Sequence, residues 1–168
     1  MFPMPRASRF SAGLTLIELS MVLALLALLA VLAVPSFQGM LAKRKVQQAA
    51  QALLEDVRFA RSEAIKRSRR VEVCKSNDGL SCNPSLAGGW AGGWMVAAGT
   101  EVLRVQGPQQ GLQSSSSLLK ITYEATGLAQ GSAGNISFEA VGASALVQRI
   151  CVSLQGRVRL AAFGAVAC

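Results

Sequence analysis

Gly13-Leu14-Thr15-Leu16-Ile17-Glu18 is followed by sixteen residues, Leu19 to Val34, that carry no charge. A secretory signal peptide is cut after its apolar stretch, at a small-residue site, and the stretch is lost. Here the best cleavage point precedes that stretch. The leader, residues 1–13, carries Arg6 and Arg9, and a cut after Gly13 leaves Leu14 as the new N-terminus with Glu18 as its fifth residue. The apolar segment, residues 14–35, then remains on the mature chain as a membrane helix, because an ordinary signal-peptidase site is poorly matched by Ala33-Val34-Pro35. Arg6 and Arg9 hold the leader on the cytoplasmic side and place everything after Pro35 across the membrane, in a periplasmic or extracellular space.

Removing 13 of 168 residues leaves 155, enough for one membrane helix and one small globular domain. The chain is basic, with 17 Lys and Arg against 9 Asp and Glu, and it contains no His. Residues 43–75 concentrate this excess, with ten basic and four acidic side chains. Such a surface attracts polyanions, or it is simply a solvated helix face. Without His, the commonest general base and metal ligand is missing. No nucleophile has a base within a recognisable pattern, so the sequence predicts no enzyme, no cofactor and no metal site. The four cysteines, Cys74, Cys82, Cys151 and Cys168, suit two disulfides in an oxidising compartment. Three connectivities are open, and proximity favours Cys74 with Cys82 and Cys151 with Cys168.

Beyond Pro35 the pattern is helical. Val46, Ala49, Ala50, Leu53, Val57, Ala60 and Ala64 recur at three- and four-residue spacing, which predicts one buried face on an amphipathic helix through residues 36–69. From Arg70 the period becomes two. Short strands are predicted around residues 71–74, 94–96, 102–105, 120–123, 135–138, 150–154 and 158–160, with Ser114 to Ser117 as a loop. The fold class is α+β, a long N-terminal helix packed on an antiparallel sheet, with residues 70–168 as the β-rich domain.

The Gly13-Leu14-Thr15-Leu16-Ile17-Glu18 junction with its apolar helix resembles the prepilin signal of type IV pilins and of the pseudopilins of type II secretion. Ala60-Arg61-Ser62-Glu63-Ala64-Ile65-Lys66-Arg67, with Gly93-Trp94 and Gly156-Arg157-Val158-Arg159, narrows the resemblance to the GspH/FimT family of minor pilins and pseudopilins. That resemblance implies a type IV pilin-like fold. It also implies a prepilin peptidase that cuts between Gly13 and Leu14 and N-methylates the new terminus, where Leu14 stands in place of the family's usual Phe. A carboxylate inside a bilayer costs about 2.5–3.5 kcal/mol at a helix centre and less near an end. Glu18 therefore needs a partner, and the resemblance supplies one in the N-terminal amine of a neighbouring subunit.

Three functions follow from the resemblance. One is a minor pilin at or near the tip of a type IV pilus, working with other minor and major pilins and capturing DNA for natural transformation. The second is a pseudopilin of a type II secretion system, and the third a minor pilin that acts only in priming and assembly. The DNA reading falls on Gly156, Arg157 and Arg159, with Arg67 and Arg69 as weaker candidates. A three-residue loop Gln155-Gly156-Arg157 would pair Leu154 with Val158 and Val152 with Leu160, putting Arg157 at the hairpin tip and Arg159 about 7 Å along the strand. Arg suits phosphate, since its planar fork donates two hydrogen bonds and keeps its charge. Trp90 and Trp94, set among glycines, fit an edge of the core better than an exposed platform for bases.

Overall fold

The computed structural model describes residues 15–165 and 167–168, and side chains for all of these except residues 30–36. Gly13, Leu14 and the leader lie outside the described residues. One helix, α1, spans Leu16–Arg67. Its start is set by Thr15, whose Oγ1 accepts the Glu18 N–H at 3.3 Å. Thr and Glu three residues apart are the pair that caps helix N-termini, and the Glu18 charge lies in the first turn, at the positive end of the helix dipole. The chain divides into two compact units after Gly39. In the first, Leu16, Ile17, Leu19, Met21, Val22, Leu23, Leu25, Leu26, Leu28 and Leu29 are all exposed. Among the described residues, no helix meets the length and apolarity needed to cross a membrane.

The second unit, Met40–Cys168, holds the core. Every position predicted for the buried helix face, Val46, Ala49, Ala50, Leu53, Val57, Ala60 and Ala64, is at most 1 % exposed. α1 stops because Ser68 turns left-handed at φ 50°. Ser68 N–H then donates to Ile65 O at 3.3 Å and Arg69 N–H to Ala64 O at 3.2 Å, the paired bonds of a Schellman cap with serine where glycine is usual.

Eight strands follow: β1 Val71–Lys75, β2 Trp94–Ala98, β3 Glu101–Gln106, β4 Leu112–Ser116, β5 Lys120–Tyr123, β6 Gly134–Ala140, β7 Ala143–Val152 and β8 Val158–Leu160. They form two antiparallel sheets rather than one, in the orders β3-β2-β1-β5 and β4-β6-β7-β8. The inner residues of both, including Val71, Val73, Ile121, Tyr123, Ile136, Phe138 and Ile150, join the helix face in one apolar cluster. Ser114 to Ser117, predicted as loop, mostly belong to β4. That strand pairs with β6, and Ser115 Oγ lies 2.7 Å from Ser137 Oγ across the ladder. Serine reads as loop because its hydroxyl competes for backbone groups, but here the hydroxyls are satisfied within the fold.

Trp90 and Trp94 are both fully buried. Trp90, in a 3-10 turn over Gly89–Gly92, donates its indole N–H to Leu118 O at 3.0 Å. Trp94 donates to Asp56 Oδ2 at 2.8 Å, which ties β2 to the helix, and Arg104 meets the other oxygen of Asp56 at 3.0 Å. Buried indoles need such acceptors. Both disulfides follow the pairing that proximity favoured, Cys74 with Cys82 and Cys151 with Cys168.

Candidate nucleic-acid interface

The β7–β8 hairpin carries the Gly-Arg-Val-Arg segment. Val152 faces Val158, Cys151 faces Arg159 and Ile150 faces Leu160. This register differs from the expected one by two residues, so Ile150, Val152, Val158 and Leu160 keep their side of the sheet, but the loop sits one residue earlier and Leu154, expected to pair with Val158, falls in it and is exposed. Gly156 N–H donates to Ser153 O at 2.9 Å, and Ser153 N–H to Arg157 O at 2.9 Å, which closes a three-residue loop Leu154-Gln155-Gly156. Gly156 decides the placement. It has φ 76° and occupies the last loop position, where such hairpins require a left-handed residue; the expected loop had put it in the middle. Arg157 is therefore opposite Ser153 at the start of the returning strand and not at the tip, with its N–H 3.2 Å from Ser153 Oγ.

Gly156 is locked for a second reason. A Cβ there would lie 2.2 Å from Gly127 O, 3.0 Å from the Tyr123 ring and 3.2 Å from Arg61 Nε. Its carbonyl accepts the Tyr123 hydroxyl at 3.2 Å. Burial pushes the Tyr123 phenol up to about 12, with the Arg61 charge pulling it partly back. Gly156 thus serves the hairpin's backbone, while the two arginines that follow are exposed on its polar face.

Arg157 and Arg159 line a groove of about 320 Å³ together with Arg58, Arg61, Gly156 and Val158. Arg58 and Arg61 come from α1. Arg61 Nη2 donates to Gln155 O at 3.1 Å, and its Nε is buried without a hydrogen-bond partner. Arg159 donates to the main-chain oxygen of Cys168, held nearby by the disulfide to Cys151. Among the described residues, none of these four arginines pairs with an Asp or Glu side chain.

Arg67 and Arg69 are placed differently. Arg67 reaches Glu63 at 2.7 Å and Glu101 at 2.8 Å, and Arg69 shares Glu101 at 2.7 Å. The Arg67 hydrogen bonds lower the carboxyl pKa of both Glu63 and Glu101. Guanidinium groups already engaged by carboxylates are poor phosphate ligands, and neither lines the groove. The sequence reading did not single out Arg58 and Arg61 as site residues. Their three-residue spacing puts them on one helix face, but only the folded chain brings that face to β8.

The GspH model, described as type II transport protein GspH, matches residues 49–156. The chain belongs to this family. Its members are pilin and pseudopilin structural proteins and not enzymes. The matched region ends at Gly156, so Arg157 and Arg159 lie just past it. No curated protein matches the chain.

Among solved structures, the GspH-family chain is similar to the type IV minor pilin FimU of Pseudomonas aeruginosa. The TM-score is 0.57 at 20% identity, over 70% of this chain and 89% of FimU. A second crystal form of FimU gives 0.54 over 68% and 91%. The minor pseudopilin EpsH of the Vibrio cholerae type 2 secretion system gives 0.49 at 15% identity, over 70% and 96%. The shared fold with FimU is the α+β arrangement of a helix packed on antiparallel sheets.

Proposed function

We propose that this GspH-family protein is a minor pilin of a type IV pilus that assembles at or near the tip and binds DNA without regard to sequence. The observation that carries the DNA reading is the pair Arg157 and Arg159. Both are exposed on one face of the returning strand with no Asp or Glu partner among the described residues. Phosphate contacts position a nucleic acid but carry no base information, so unrelated sequences bind alike.

Prepilin peptidase cuts after Gly13 and methylates Leu14, and the retained helix anchors the precursor once across the inner membrane with its C-terminal domain in the periplasm. The ten exposed apolar side chains from Leu16 to Leu29 support this, because a surface of that kind needs lipid or neighbouring pilins to cover it. Glu18, in the first helical turn, neutralises the terminal amine of the next subunit on assembly.

The test is titration of detergent-solubilised chain into labelled DNA at graded salt. Arg157→Ala and Arg159→Ala each lower the slope of log K against log[salt] by about 0.9 on duplex. If the double variant is folded and binds as the parent does, the DNA reading is wrong and the priming-and-assembly reading replaces it. The family description as a type II transport protein favours a second reading, a pseudopilin of a secretion system. Deleting the gene separates the two, since a pilin loses piliation and a pseudopilin loses protein secretion.

A further inference from the structure

We infer that α1 supplies the second wall of the DNA site. Arg58 and Arg61 grip the same phosphodiester backbone that Arg157, just before β8, and Arg159, within it, hold from the other side. This inference rests on the DNA reading above and adds the helix to it.

The lining of the groove is four arginines, one glycine and one valine. Four like charges around about 320 Å³ repel one another, and no described Asp or Glu side chain lies within ion-pair distance of any of them, although Arg159 also donates to the main-chain oxygen of Cys168. Elsewhere the fold does provide counter-charges. Arg67 and Arg69 meet Glu101, Arg70 meets Glu124, and Arg104 meets Asp56. The groove is thus a place where converging guanidinium groups wait for an anion from outside.

The lining also names the ligand's chemistry. It contains no aromatic ring, so bases have no platform to stack on, and no carboxylate or amide that would accept a hydrogen bond from a base edge. What remains is the backbone, whose successive phosphates match arginines spaced along a strand and along a helix face. Arg58 is exposed and makes no hydrogen bond to the described protein, which leaves its whole fork for phosphate. Arg61 does two things. Its Nη2 holds the hairpin through Gln155 O, and its charge faces the groove.

The experiment uses the full chain in detergent, with labelled single-stranded and duplex oligonucleotides of unrelated sequence, between 50 and 200 mM salt. Arg58→Gln is expected to flatten the salt slope by about 0.9 on duplex or about 0.7 on a single strand, roughly a 3-fold change in affinity loss across that range. The strand type on which the slope flattens identifies which form the groove takes. Arg44→Gln removes the same charge from an exposed helix position outside the groove and leaves the slope unchanged. Arg61→Gln is read beside a thermal melt because it also frees Gln155; if it fails to fold, Arg58→Gln still decides. A parental slope for Arg58→Gln on both ligands, or an equal loss in Arg44→Gln, overturns the helix wall. If the Arg157→Gln/Arg159→Gln variant loses binding in that same experiment, the DNA reading survives without the helix. If it too binds as the parent does, both fail.

Discussion

Replacing Gly156 by alanine separates what the first residue of the Gly-Arg-Val-Arg segment does from what the arginines do. Two costs add. A residue with a Cβ held left-handed loses about 1–2 kcal/mol, partly offset by a less flexible unfolded chain. The new Cβ also falls 2.2 Å from Gly127 O, a backbone atom that no rotamer change can move aside. Relieving such an overlap costs about 1–3 kcal/mol. Displacing the loop puts the Tyr123 bond to Gly156 O at risk, for about 1 kcal/mol more. The expected loss is about 3–5 kcal/mol, or about 10–20 °C in melting temperature for a domain of this size. Gly142→Ala is the control, since Gly142 has φ 79° with nothing within 4 Å of its Cβ position. It bears only the conformational cost, about 1 kcal/mol. Circular dichroism melts of both variants decide the matter, and equal shifts would refute the close approach to Gly127 as the reason for glycine at 156.

Ser68→Gly removes the left-handed strain at the end of α1 and should raise the melting temperature by about 3–5 °C; no gain would mean the serine conformation is relaxed. Replacing Cys151 and Cys168 together by serine opens a loop of 17 residues and should cost about 3 kcal/mol, measured as a lower urea midpoint. Tyr123 gives a pH dependence whose sign is fixed. Its folded pKa is raised to about 12, so the unfolded chain releases the phenol proton first, and stability falls as pH rises from about 10 towards 12. Tyr123→Phe should flatten urea midpoints over that interval, and an unchanged slope would count against burial as the cause.

The helix face was legible from spacing alone, because an apolar period of 3.6 residues has one compact solution, and all seven predicted positions from Val46 to Ala64 are buried. The hairpin was legible as to the sides taken by Ile150, Val152, Val158 and Leu160, since alternation survives a two-residue shift, but not in its register, which Gly156 and the Gly127 carbonyl decide together and which leaves Leu154 exposed in the loop. β4 was hidden because a serine run has no apolar period, and its strand state depends on β6 beside it. Arg157 and Arg159 could be chosen by local motif. Which arginines remain uncommitted could not, because Arg67 and Arg69 are claimed by Glu101, more than thirty residues further along the chain. Arg58 and Arg61 meet Arg157 and Arg159 only where α1 packs beside β8. Local periodicity sets elements and faces, whereas the pairing of charges between distant segments is settled by the core packing that brings them within a few ångströms.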